Sequence, residues 1–164
     1  MSDVMRWRYG ETNPVVAPVA AEVAIEIGDL VFFDTDQVLP ASAIDDVGGE
    51  GPETLAAAQE LFHDGFLGVA MQASSAGDAG NIRVATSGVF EFDCEAATFE
   101  LGTRVGVDLG TGGTTLAPQR AVAVAAGSPQ LAIGRVARRQ SSAATRVLVE
   151  IHSTVMRDGP QAVA

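Results

Sequence analysis

Residues 27–34, IGDLVFFD, and residues 101–108, LGTRVGVD, state one pattern twice: an aliphatic residue, Gly, a polar residue, a Val-bearing apolar run and a closing Asp. More of the chain follows the same order. Leu67-Gly68-Val69-Ala70 answers to Ile133-Gly134-Arg135-Val136, a turn with Ser74-Ser75-Ala76 answers to Ser141-Ser142-Ala143, and Arg83-Val84 answers to Arg146-Val147. A shared order of strand, long excursion, Gly-centred strand, Ser-rich turn and strand predicts two copies of one β unit. Closing on each other, they would bury both apolar faces and leave no free edge.

The local patterns agree with a β-rich chain. Val23, Ile25 and Ile27 alternate with Glu22, Ala24 and Glu26, and Val147, Val149 and Ile151 alternate with Arg146, Leu148, Glu150 and His152; period two reads as half-buried strand. Further strands are expected at Phe66–Ala73, Asn81–Ser87, Val89–Cys94, Arg104–Val107, Arg120–Ala125 and Leu131–Arg138. One helix is expected from PETLAAAQELFHDG: Pro52 suits a first turn, Glu53 the positive end of the helix dipole, and Gly65 the stop. Its Leu55, Ala58, Leu61 and Phe62 share one face, which predicts packing on a sheet. The fold class is therefore all-β with one short helix, a small barrel or sandwich built from two related units. We expect an extended N-terminal arm over residues 1–21, a β domain over 22–153 with a helix-bearing insertion near 45–64, and a C-terminal tail over 154–164.

Composition narrows the chemistry. All ten basic residues are arginine, which removes Schiff-base and P-loop lysine enzymes. The net charge is −11, spread as +1 over residues 1–10, −16 over 11–108 and +4 over 109–164. A surface this acidic repels phosphate backbones, so no nucleic-acid partner is expected, and acidic and basic patches could meet between subunits. Cys94 is the only cysteine, so no internal disulfide forms. No signal peptide and no membrane span are predicted, because Pro18 and Glu22 interrupt the first apolar stretch.

We assign no catalytic, metal or cofactor residue. His63 and His152 stand apart from any ligand-like partner, and Cys94 lies among acids that would raise its thiol pKa. Glu91, Asp93 and Glu95 alternate onto one strand face that could hold a hard cation, but calcium-loop spacing is absent, and solvated acids are the expectation. LGTGGTT (109–115) lacks the Gly-Lys-Ser/Thr ending of a phosphate loop and reads as a β turn. Arg6, Trp7, Arg8 and Tyr9 are the candidate partner-contact residues: the sole Trp and sole Tyr sit in the Pro-containing arm, among residue types that dominate binding hot spots.

Taken together, Gly28-Asp29-Leu30-Val31, Gly80-Asn81-Ile82-Arg83-Val84 with Gly88-Val89-Phe90, Gly102-Thr103-Arg104-Val105 through Asp108, and Ile133 to Ala137 followed by Arg146 to Ile151 resemble the capsid-cement, or head-decoration, proteins of tailed bacteriophages. The resemblance covers about residues 22–152. It implies a non-enzymatic virion protein, made in the host cytoplasm, that binds the outer capsid surface as a homotrimer and clamps neighbouring major capsid proteins. An extended arm could add a strand to a neighbour's sheet. Two alternatives stay open: a trimeric β-barrel nucleotide hydrolase holding magnesium on Asp34/Asp36 or Glu91/Asp93, and a fibre base or tail component on the same module.

Overall fold

A computed structural model describes residues 4–157. Among the described residues eleven strands form two sheets, each built on five strands, with β1 (Trp7–Tyr9) added to the second as a sixth, edge strand. The first holds β2 (Val15–Pro18), β3 (Leu30–Asp34), β4 (Gln37–Pro40), β5 (Phe66–Ala70) and β6 (Asn81–Ala85) in the order β2-β6-β5-β3-β4. The second holds β7 (Ser87–Phe99), β8 (Arg104–Leu109), β9 (Leu116–Ala123), β10 (Gly134–Val136) and β11 (Gln140–His152) in the order β7-β11-β10-β8-β9. These orders are the same when each set is numbered from its own first strand, and every neighbour pair in both is antiparallel. In the second set β7 and β9 also pair in parallel at Asp93 and Arg120, closing a five-stranded barrel. In the first, a parallel bridge joins Val19 to Val38 in the corresponding place. We call these sets the N-module and the C-module.

The duplication reaches individual hydrogen bonds. Gly28 N–H donates to Ala70 O at 2.9 Å, and Gly102 N–H to Val136 O at 2.9 Å. Ala70 N–H donates to Asp29 O and Val136 N–H to Thr103 O, both at 2.8 Å. One correction is needed. Registers Ala70↔Val84 and Val136↔Val149 match Val84 with Val149, not with Val147. The slip is two residues, so the buried face is unchanged and the sequence pattern could not detect it.

The helix α1 (Leu55–Gly65) forms as expected, with Thr54 Oγ1 capping Ala57 N–H. Its buried face differs from the expected one: Ala58, Gln59, Phe62 and His63 are buried, whereas Leu61 is exposed. The reason is position. Although encoded in the N-module, α1 lies between the modules, with Phe62 against Phe32 and Phe66 and two polar side chains bonded to C-module backbone. Gln59 Nε2 donates to Val107 O at 2.9 Å, and His63 Nδ1 donates to Ala132 O at 2.7 Å.

Core clusters follow this arrangement. Val31, Val38, Leu67, Ile82 and Val84 fill the N-module. Leu30, Phe32, Phe66 and Val69, from the other faces of β3 and β5, join Phe90, Phe92, Val105 and Val149 in one cluster spanning both modules. Among the described residues no helix is long and apolar enough to cross a membrane.

Two further expectations change. Residues 22–27 are no strand; only Ile25 bridges, to Ser74. The segment expected as an arm is instead built into both modules: β1 (Trp7–Tyr9) pairs antiparallel with β7, and β2 pairs with β6. Pro14 and Pro18 had broken the periodicity there. At the other end Thr154–Arg157 forms a short helix, α2, and residues 158–164 of the expected tail lie outside the described residues.

Candidate functional site

β1 runs along the edge of β7, and its arginines fix it there. Arg6 is only 4% exposed. Its guanidinium meets Asp93 with two bonds of 3.1 Å, and its Nε donates to Gln119 Oε1 at 2.9 Å. Gln119 Nε2 in turn donates to Asp29 Oδ1 at 2.9 Å, so a buried polar chain links N-module, C-module and N-terminal segment. Gly28 completes the joint, since a Cβ there would meet Val4 O and Arg6 Cγ. Arg6 therefore has no surface to offer a partner, contrary to the sequence expectation. A buried guanidinium must spend its donors internally.

Arg8 Nη2 donates to Glu91 Oε1 at 3.1 Å, and its Nη1 to Met5 O and Trp7 O, both at 3.1 Å. It thus covers the carbonyls of Met5, just before β1, and of Trp7 within it, which blunts this edge against strand addition. The expected arm does add a strand, but to its own sheet.

Trp7 and Tyr9 stay open to solvent, at 41% and 51% exposure. A register shift separates them: Trp7 lies opposite Phe90 and Tyr9 opposite Val89. Residues two apart ordinarily share a face, but here their partners Phe90 and Val89 are neighbours on β7, so the shift takes Trp7 and Tyr9 off a common face. Trp7 Nε1 donates to Gly10 O at 3.0 Å, which leaves its ring as an apolar contact. Beside Tyr9 a shallow groove is lined by Glu11, Asn13, Ser87, Glu150 and His152.

The acids of β7 do share a face, and arginines occupy them. Glu91 pairs with Arg8 and Arg146, Asp93 with Arg6 and Arg146, and Glu95 with Arg120, which also holds Asp108. Among the described residues no cluster of three or more His, Cys, Asp or Glu could hold a metal. Asp34 and Asp36 flank Thr35 in the exposed turn between β3 and β4. Residues 109–115 link β8 to β9. Cys94 is buried; desolvation raises its thiol pKa, Arg120 opposes this, and Asp93 and Asp108 add to it. His63 is wholly interior, and His152 Nε2 lies 2.8 Å from Arg157 O. Sequence reasoning missed Gln119, which lay outside the strand expected at Arg120–Ala125, whereas β9 begins at Leu116.

No family model matches this chain, and no curated protein does. Among solved structures, it is similar to one titled "The crystal structure of head fiber gp8.5 N base in bacteriophage phi29", with 13% identity over 84% of this chain and 93% of that one and a TM-score of 0.44.

Proposed function

We propose that this chain is a non-enzymatic structural protein of a bacteriophage particle, seated on the outer capsid surface and clamping neighbouring major capsid subunits. The observation that carries this reading is the edge strand β1, held by Arg6 and Arg8 while Trp7 and Tyr9 stay exposed on it. Two exposed aromatics on a strand that is held in place suit a binding hot spot, because aromatic side chains have few rotamers to lose on contact. Repetition around a shell then multiplies a modest contact into firm attachment. The sequence resemblance to capsid-cement proteins supports the choice of partner, and its motifs fall on β3, β6 to β8, β10 and β11. Of the two carboxylate pairs a nucleotide hydrolase could use, Glu91/Asp93 is engaged by arginines and Asp34/Asp36 lies in an exposed turn.

Removing residues 1–20 is no test, since β1 and β2 would go with them. Instead, the full chain and a Trp7→Ala/Tyr9→Ala variant should be titrated onto empty shells of its phage's major capsid protein. Saturable binding of the full chain, weakened at least about tenfold in the variant, is expected. Absence of binding by the full chain overturns the proposal, and electron microscopy of the saturated shells should place its density outside.

A further inference from the structure

The joint between the modules has a counterpart elsewhere in the chain on which no other segment of the described residues docks. Within the chain, the N-module turn at residues 26–29 packs against the N-terminal segment and β9: Ile27 O accepts from Val4 N–H at 3.0 Å and from Gln119 Nε2 at 3.4 Å, and Asp29 accepts from Gln119. The matching C-module turn, residues 100–103, has the same internal geometry. Thr103 N–H donates to Glu100 O as Asp29 N–H donates to Glu26 O. Its tip is open: Leu101 is 68% exposed and a Cβ on Gly102 would meet nothing within 4 Å, while at its base Glu100 pairs with Arg139 and Gly102 O accepts from Arg135 Nη1 at 3.3 Å.

Charge around this turn is unbalanced. Arg104 and Arg135 sit directly opposite each other on β8 and β10, a like-charge pair that costs stability unless an anion lies nearby. Neither makes an ion pair among the described residues: Arg104 Nη1 donates to Ala126 O and Arg135 Nη1 to Gly102 O, and Arg104 Nε is buried without a partner. Glu150, the neighbour of Arg135 on β11, makes no ion pair with it either. Five of the six C-module carboxylates are already held by arginines.

The complementary surface lies on the other module. Residues 15–85 carry twelve carboxylates and one arginine. Registers Val31↔Pro40 and Val105↔Ala123 match β4 to β9, so the β3–β4 hairpin takes the place of β8–β9, with Asp36 in its turn next to β4. Asp34 and Asp36 are exposed at that point.

We propose that the 100–103 turn, with Leu101 at its tip and Arg104 and Arg135 beside it, docks on the β3–β4 hairpin of a second copy. This contact repeats between chains the joint that binds the modules within one. The internal joint also uses Val4 and Arg6, and arginine–carboxylate pairs replace them here. Such a contact is heterologous, so copies associate head to tail and close into a ring where the rotation permits.

Sedimentation velocity of the full chain without any shell tests this apart from capsid binding. A concentration-dependent oligomer is expected, weakened at least about tenfold by Arg135→Glu and, separately, by Asp36→Arg, and recovered when the two are combined, as complementary charges across one contact require. Leu101→Asp should also dissociate it. Circular dichroism confirms that each variant is folded. A full chain that stays monomeric up to about 100 μM, far weaker than a specific assembly contact, or an oligomer indifferent to Arg135→Glu and Asp36→Arg, overturns the proposal.

Discussion

Gly68 and Gly134 occupy matching places on β5 and β10, and each lies against the backbone of the next strand: a Cβ would strike Ala85 O at one and Glu150 O at the other. Here the requirement for glycine is close approach of two backbones. Gly134→Ala and Gly68→Ala should therefore each destabilise the protein by about 2–3 kcal/mol, the range of overpacked interiors. Urea unfolding measures this. Gly102→Ala, with open space around it, is the comparison; its φ of +82° costs about 1 kcal/mol. These glycines are also why the duplication was legible. A residue with no substitute holds its place, whereas apolar strand residues can exchange identities as long as the period is kept. Arg6 and Gln119 were illegible for the opposite reason: a buried polar chain is defined by partners 87 and 113 residues away, and no local pattern announces it.

The two modules protect their first strands by different means. On β2, Val16 lies opposite Arg83, whose N–H is held by Gln72 and whose C=O accepts from Met71, so Val16 belongs to a non-bonded pair and its own backbone points outward. Pro14 and Pro18 share its parity and lack N–H groups, leaving one outward donor. On β7 the corresponding position is Glu91, and its N–H donates to Arg6 O at 2.9 Å. A covered edge and a proline-blunted edge both resist unwanted pairing. The prolines that hid β2 from periodicity are thus part of its role. Arg6→Ala should loosen β1 from β7, with a loss of about 2 kcal/mol for the charge-assisted bonds and faster hydrogen exchange at the Glu91 amide. A loss of stability with exchange at Glu91 unchanged would mean that Arg6 holds the module joint but not the strand.

At the scale of the molecule, duplication did not produce two independent domains. The N-module strands β3 and β5 are buried on both faces, one lining their own interior and the other feeding the cluster shared with Phe90, Phe92 and Val105. The helix α1 belongs to one module by sequence, yet it bonds the backbone of the other through Gln59 and His63. Its buried polar residues fall where an amphipathic pattern predicts none, because the face that looks like a solvent stripe is covered by the second module. Unfolding either module would strip the shared cluster and leave Gln59, His63 and Arg6 facing lost partners, so the modules should unfold together. Urea titration followed by Trp7 fluorescence, which reports on β1, and by far-ultraviolet circular dichroism, which reports on all strands, should give one midpoint. A fragment of residues 87–157 should fail to fold despite containing a closed barrel, since it lacks β1, Phe62, Phe66 and the caps on Val107 O and Ala132 O. Two separated midpoints, or a cooperative transition in the fragment, would mean that the barrel's own core suffices and that the shared cluster merely joins two self-sufficient units.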